Sequence, residues 1–148
     1  MPYIKKIELK GFKSFGPKTA TVTLDKGFTA ITGPNGSGKT NIADAVLFGL
    51  GELSARRMRA ASLSKLIYHG YSDLNVKKAN SAKVVIQFDN SDNRLPVDTQ
   101  TVTISRELNR SGQSLYGAGE VCSLSRLRVH VLRPGTLPSL QPPNRSLS

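Results

Sequence analysis

The sequence predicts an α/β fold: a mixed sheet with antiparallel strands around a central helix. Residues 33–40 read GPNGSGKT, a glycine-rich loop between a short apolar run and a helical pattern. Other segments alternate apolar and polar side chains with a period of two, as strands with one exposed face do. NRSG at 109–112 is a turn signal between two of these segments, which indicates a hairpin.

The strands are predicted from their side-chain patterns. In residues 3–10, Ile7 and Leu9 alternate with polar neighbours, and TATVTL (19–24) alternates in the same way. FTAIT (28–32) is short, apolar and β-branched, which is typical of a strand buried in a sheet. The remaining strands are AKVVIQFD (82–89) and TVTISREL (101–108), the second of which can form a hairpin with QSLY (113–116).

Two helices are predicted. The segment NIADAVLFGLGEL (41–53) has an apolar face at helical spacing and is expected to end near Gly51. That face is predicted to carry Ile42, Ala45, Val46 and Leu50. SLSKLIYHG (62–70) is compatible with a short helix.

Composition limits the classes of protein and partner. The 148 residues suffice for one domain with a real core, and the net charge of +11 favours an anionic partner such as nucleic acid or nucleotide. The single cysteine, Cys122, excludes an internal disulfide and a paired-cysteine metal site. The longest apolar stretch, about residues 43–50, is too short to span a bilayer. We therefore expect a soluble, cytoplasmic protein with no membrane partner.

The composition changes near Gly117. Residues 1–116 contain 11 Lys and 6 Arg, whereas residues 117–148 contain four Arg, no Lys and one acidic residue, Glu120. Four prolines fall between positions 134 and 143, where they would block strand pairing. We predict a domain over residues 1–116 and a disordered or loosely attached tail over 117–148.

The glycine-rich loop has the pattern G-x-x-x-x-G-K-[ST], filled by Gly33, Gly38, Lys39 and Thr40. Its glycines allow backbone N–H groups to turn toward phosphate oxygens. Lys39 is expected to reach the β- and γ-phosphates, and the Thr40 hydroxyl to hold Mg²⁺. The predicted ligands are therefore ATP and Mg²⁺.

Hydrolysis requires an acidic residue at the end of a buried strand, and two positions come into question. Asp89 ends VVIQFD and Glu107 ends VTISRE. Both strands show the period-two pattern of half-exposed antiparallel strands, so neither fits this role. The sequence thus predicts a phosphate-binding loop without the rest of a hydrolytic site.

Three stretches together resemble the N-terminal half of the ATPase head of a structural maintenance of chromosomes (SMC) protein, a P-loop NTPase of the ABC type. They are YIKKIELKGFKSFGPKTATVTL, KGFTAITGPNGSGKTNIADAVLFGLGE and SARRMRAASLSKLIYHG, in an order and spacing similar to prokaryotic, and plausibly archaeal, members. The resemblance implies a half-domain, because the C-terminal half of such a head carries the acidic strand and the signature motif. It also implies a second head as dimer partner, a kleisin subunit, DNA, and a nucleoid-associated role in chromosome condensation and segregation.

The resemblance also suggests site residues outside the loop. Lys13 and Ser14 in GFKSF would lie beside the nucleotide, Asn35 near the γ-phosphate, and Arg59 would reach toward the nucleotide. Each has a plain alternative: a strand-end turn for Lys13 and Ser14, a turn-forming side chain for Asn35, and a solvated loop for Arg59. Arg56 and Arg57 are interpreted as surface charge. The predicted ATP-binding residues are Lys13, Ser14, Gly33, Pro34, Asn35, Gly36, Ser37, Gly38, Lys39, Thr40, Asn41 and Arg59.

After residue 116 the sequence departs from the pattern that it resembles. GAGEVCSLSRLR stands where a short strand, an Asn-Gly turn, a helix and a glutamine-bearing loop are expected. The break coincides with the change in composition. One hypothesis is that the tail is an altered reading of the gene, which sequencing across codon 117 would test. An alternative function is a truncated, non-catalytic nucleotide- or DNA-binding module.

Overall fold

The computed structural model of the protein describes residues 2–70 and 76–118. Five strands, one α-helix and one short 3₁₀ helix follow each other along these residues. Their bounds are β1 Tyr3–Lys10, β2 Ala20–Thr23, α1 Lys39–Gly49, the 3₁₀ helix Leu63–Leu66, β3 Ser81–Asp89, β4 Thr101–Asn109 and β5 Ser114–Ala118.

The five strands form one sheet in the order β2-β1-β3-β4-β5, and every pair in the described residues is antiparallel. Ile7 of β1 lies opposite Ile86 of β3, which lies opposite Ile104 of β4, so one apolar row crosses the centre of the sheet. The turn between β4 and β5 is closed by the Gly112 amide, which donates to the Asn109 carbonyl. The α/β class, the strands predicted at 3–10, 19–24, 82–89 and 101–108, and the final hairpin are confirmed.

Helix α1 covers the apolar face of the sheet over β3 and β4. Its C-terminal turn approaches closely because Gly49 has no side chain: a Cβ there would lie 2.6 Å from Ile86 Cδ1 and 3.3 Å from Val84 Cγ1. Phe48 is buried beside Phe12, with ring centroids 5.3 Å apart. The core cluster comprises Ile7, Leu9, Phe12, Ala45, Phe48, Met58, Leu66, Ile67, Tyr68, Ala79, Ala82, Val84, Ile86 and Leu108.

The buried face of α1 differs from the predicted one. Asp44, Ala45, Phe48 and Gly49 are buried, whereas Leu50 follows the helix and is 56% exposed. Inclusion of Leu50 in the apolar face was therefore wrong. The face of α1 that carries Gly49 packs on the sheet, because the missing side chain there allows the closest approach.

Residues 28–32 do not form a strand, so that prediction was wrong. They are exposed along their whole length, and Phe28 is 96% exposed. No described strand pairs with them. An apolar sequence becomes a buried strand only where neighbours satisfy its N–H and C=O groups, and the described residues provide none here.

The helix predicted at 62–70 is reduced to the 3₁₀ turn Leu63–Leu66. Ile67 is extended and forms a bridge with Phe12, which ends the helix and ties this segment to the end of β1. Over the described residues, no helix has the length and apolar character needed to cross a membrane. Residues 119–148, most of the predicted tail, lie outside the described residues, while β5 extends to Ala118 and so passes the predicted boundary.

Candidate nucleotide-binding site

The phosphate loop, residues 33–40, joins the exposed residues 28–32 to α1 and turns through glycines. Gly36 and Gly38 have φ values of 82° and 91°, a region that residues with a Cβ rarely adopt. A Cβ on Gly33 would lie 2.8 Å from Ser37 Oγ, so a side chain at this position would require the Ser37 side chain to move. The backbone of the loop therefore depends on the glycine spacing from which the motif was recognised.

The loop ends at a helix N-terminus that favours an anion. Gly38 is the N-cap residue, no side chain caps the helix, and no acidic residue lies in its first turn. The first amides of a helix lack partners within it, and the helix dipole places partial positive charge at the same end. These amides and the basic Lys39 make the start of α1 suited to phosphate oxygens.

Lys39 folds over the loop. Its ammonium group donates to the carbonyl oxygens of Gly33 and Pro34, the second at 2.8 Å. Residues 35–41, including Asn35 and Thr40, line an open cavity of ≈ 170 Å³ beside it. The lysine is thus held at the edge of the cavity by neutral acceptors, which an anion can replace.

Ser14 is brought to the same place from the end of β1. Its hydroxyl accepts a hydrogen bond of 2.8 Å from Asn41 Nδ2, and a Cβ on Gly38 would lie 3.2 Å from Ser14 Oγ. The predicted residues Ser14, Gly38 and Asn41 are therefore neighbours. This turn needs a small side chain at position 14, because it lies against the helix start.

Lys13 and Arg59 converge on Asp44, a residue that the sequence analysis did not single out. Lys13 Nζ lies 2.5 Å from Asp44 Oδ2, and Arg59 Nη2 lies 2.6 Å from Asp44 Oδ1. Lys13 Nζ also donates to the Met58 carbonyl, and Arg59 Nη2 to the Thr40 carbonyl. The structure therefore places Arg59 at the first turn of α1, and Lys13 behind it against the helix.

The two acidic residues rejected as catalytic candidates have other partners. Asp89 accepts hydrogen bonds from the hydroxyl and the amide of Ser91. These bonds, the one from the hydroxyl most strongly, hold the pKa of the Asp89 carboxyl below its ordinary value. Glu107 accepts from the Ser81 hydroxyl at 2.7 Å. Both lie in antiparallel strands, as predicted, and the phosphate-loop cavity is lined by neither.

Arg57 pairs with Glu52 at 3.1 Å and is largely exposed, in agreement with its interpretation as surface charge. The hydrogen bond from the Ser54 amide lowers the pKa of the Glu52 carboxyl most, and Arg57 lowers it further. The two arginines of the loop at 54–60 thus have different partners: Arg57 pairs with Glu52 just before the loop, and Arg59 pairs with Asp44 of α1.

Arg106 was also not anticipated, although it is almost fully buried. Its guanidinium donates to the carbonyls of Phe48 and Glu52 at 3.1 and 2.7 Å and stacks 4.2 Å from the Phe48 ring centroid. Burial lowers its pKa from the ordinary value. The sequence pattern of a half-exposed strand does not indicate that its arginine is buried. The burial of Arg106 results from the packing of β4 against the C-terminal end of α1.

The fold and the loop define a P-loop NTPase of the ABC type. Comparison with known proteins places the chain more narrowly, since residues 3–130 match the model of the RecF/RecN/SMC N-terminal domain. The chain belongs to this family. The match extends past the tail boundary that was predicted at position 117. That boundary stays a prediction.

Chromosome partition proteins of the Smc type are among its relatives. The protein of Pyrococcus furiosus is 52% identical over 116 residues, covering 78% of this chain and 10% of the relative. The Smc head of the same organism, solved with a coiled coil and bound to the C-terminal domain of ScpA, has 51% identity and a TM-score of 0.76, covering 80% of this chain and 29% of that one. A solved SMC ATPase, described for ATP-driven dimerization and DNA-stimulated activation, has 50% identity and a TM-score of 0.75, covering 78% and 69%. The chain spans about a tenth of the length of the curated relatives.

Proposed function

We propose that the chain is the ATP-binding segment of a chromosome condensation and segregation ATPase, and that it binds Mg-ATP at GPNGSGKT. The observation that carries the proposal is the phosphate loop ahead of an uncapped, acid-free helix start, with Lys39 held over it by neutral carbonyls. This arrangement offers backbone donors and the Lys39 ammonium to a polyphosphate. Relatives described as SMC ATPases support the choice of ATP.

The described residues have distinct parts in this proposal. The amides of residues 36–39 and the Lys39 ammonium would bind the β- and γ-phosphates, with Asn35 at the side of the cavity. Ser14 and Asn41 would fix the position of the helix start. Thr40, exposed in the first turn of α1, would hold Mg²⁺, which supplies neutralisation of charge on the phosphate oxygens when bound. No group of three or more His, Cys, Asp or Glu that could hold a metal occurs in residues 2–70 and 76–118.

Hydrolysis is proposed to need a second half of the head. Asp89 and Glu107 are engaged elsewhere, so the acidic strand and the signature motif would come from the C-terminal half of an SMC head. The exposed residues 28–32 support this, because an apolar segment leading into a phosphate loop lacks strand neighbours among the described residues. A second head, a kleisin and DNA would complete the assembly at the nucleoid in the cytoplasm, by analogy with the ScpA-bound head of Pyrococcus furiosus.

Addition of a separately expressed C-terminal head half tests this proposal. We expect no turnover of Mg-ATP by the chain alone and turnover that needs both Lys39 and the added half. Lys39→Ala in the same mixture is the control. Nucleotide binding without any turnover in the mixture would contradict the ATPase proposal and favour the non-catalytic module.

The net charge of +11 favours the second candidate, a DNA- or nucleotide-binding module without catalysis. The two differ in how DNA affinity depends on nucleotide. DNA binding that is unchanged by Mg-ATP and by Lys39→Ala would indicate the module. DNA binding that depends on the joined head and on nucleotide would indicate the ATPase segment.

A further inference from the structure

Asp44 is a buried carboxylate beside the proposed phosphate site. Only 1% of its side chain is exposed, and it lies one helical turn after Thr40 on α1. A buried carboxylate is costly unless an opposite charge and hydrogen bonds compensate it. Both oxygens of Asp44 are compensated, and each by a different cation.

The two cations are held very differently. Lys13 is only 12% exposed, and its ammonium also binds the Met58 carbonyl, while its amide donates to the Leu66 carbonyl. Arg59 is 55% exposed, and its second acceptor is the carbonyl of Thr40, in the proposed phosphate site itself. The Lys13 side chain is therefore largely buried, whereas the Arg59 side chain lies at the protein surface.

The backbone at both positions supports a specific role. Lys13 and Arg59 each have φ of 51°, in the left-handed region that non-glycine residues seldom occupy. Such conformations persist where the surroundings hold them and tend to occur at ligand-binding and switch sites. Here both bring a cation to the same carboxylate.

Asp44 can release one cation but not both. Loss of both would leave a buried charge without a partner, whereas loss of an exposed partner costs little while the buried one remains. Since Lys13 is enclosed and Arg59 is half-exposed, Arg59 is the partner that can leave.

The resemblance already implies that Arg59 reaches toward the nucleotide; we propose in addition that Asp44 is a positioning residue that holds Lys13 permanently and Arg59 reversibly, so that a bound nucleoside triphosphate must draw Arg59 away from Asp44. This inference rests on the proposed function and deepens it. It assigns Lys13 to Asp44 rather than to the nucleotide. Asp44 then competes with the nucleotide for Arg59, which sets how readily the arginine is delivered.

A double-mutant cycle on the 148-residue chain tests the proposal. The variants are Asp44→Asn, Arg59→Gln and the double variant, with Arg57→Gln as the matched control because Arg57 pairs with Glu52 instead. We expect Asp44→Asn to tighten Mg-ATP binding about two- to fivefold, the size of an exposed ion pair, and to have no such effect when Arg59 is Gln. Arg57→Gln should leave the dissociation constant unchanged.

Two results of the cycle would overturn the proposal. Weaker binding by a folded Asp44→Asn variant would show that Asp44 only supports the structure. A gain that persists in the Arg59→Gln background would show that Asp44 acts as a nearby negative charge and not through Arg59. Thermal unfolding by circular dichroism establishes that each variant is folded.

If Asp44→Asn does not fold, the wild-type chain gives a second test. The side-chain Nε–H signal of Arg59, assigned with Arg59→Lys, should shift on addition of Mg-ATP, while that of buried Arg106 should not. An unmoved Arg59 signal together with shifted amides of the phosphate loop would contradict the Asp44 proposal alone. Unmoved loop amides would contradict the proposed function itself.

Discussion

At the scale of single residues, the site is organised by one carboxylate between two cations. Asp44 joins Lys13, 31 positions earlier, to Arg59, 15 positions later. The turn after β1, the helix α1 and the loop at 54–60 are thereby fixed relative to each other. The same contacts hold two strained backbone positions, which cost on the order of 1–3 kcal/mol each when unsupported.

The two cations are expected to differ in their effect on stability. Lys13→Met should lower the free energy of unfolding by about 1–3 kcal/mol, because it leaves buried acceptors without their enclosed donor. Arg59→Met should lower it by less than about 1 kcal/mol, as for other exposed pairs. Urea denaturation followed by circular dichroism measures both. Equal losses would contradict the distinction between the two partners.

The sequence predicted the residues of the phosphate loop, because their types and spacing follow from the backbone geometry and chemistry that phosphate binding requires. It could not identify Asp44. An aspartate in a helix pattern is usually exposed, and its burial here depends on two distant cations that only the tertiary structure brings together. Arg106 could not be identified either, because the carbonyls that it binds are brought to it only by the tertiary structure.

At the scale of elements, the link between the β4–β5 hairpin and α1 depends on Arg106. Its guanidinium donates to the Phe48 carbonyl in the last turn of the helix, to the Glu52 carbonyl just beyond it, and to the Ser114 hydroxyl of β5. Cations at a helix C-terminus are favourable, and this one also lies over the Phe48 ring. The hairpin and the helix that carries the proposed phosphate site are therefore joined through this one side chain.

Arg106→Met should lower the free energy of unfolding by about 1–3 kcal/mol, because it keeps the apolar stem and leaves buried carbonyls without a donor. Arg94→Met is the matched control, since Arg94 is exposed and pairs with Asp92 at 3.5 Å. The control should change stability by less than about 0.5 kcal/mol. Chemical denaturation of both variants provides the comparison, and a stable Arg106→Met would show that the link is dispensable.

Period-two patterns predicted the antiparallel strands well, because each strand has one face on the core and its neighbours are within the described residues. The pattern at 28–32 failed, since a buried strand is defined by its neighbours as much as by its own side chains. The helix was predicted correctly as an element. Its buried face was partly wrong at Leu50, because the close approach at Gly49 decides how α1 turns.

At the scale of the whole molecule, several large apolar side chains are exposed although the protein has a formed core. They include Phe28, Leu50, Leu53, Leu115 and Tyr116. Apolar side chains exposed to this extent often mark surfaces that another protein covers. The exposure of these side chains agrees with the proposal that a second half of the head covers some of them.

We expect the purified chain to self-associate and to bind a hydrophobic dye, and a C-terminal head half to suppress both. Phe28→Ser should reduce the association, whereas Lys18→Ser, an exposed polar change in the preceding segment, should not. Light scattering and dye fluorescence report the two effects. A monodisperse monomer that binds no dye would contradict the proposed covering surface.

Calorimetric titration of the chain with Mg-ATP shows whether the phosphate loop binds the nucleotide through Lys39. Lys39→Ala removes the ammonium that lies over the loop, and Lys26→Ala removes an exposed one ahead of it. We predict that wild type and Lys26→Ala bind alike and that Lys39→Ala binds at least about tenfold more weakly, since a charge-assisted hydrogen bond is lost. Equal binding by all three proteins, or none by the folded wild type, would contradict nucleotide binding through Lys39.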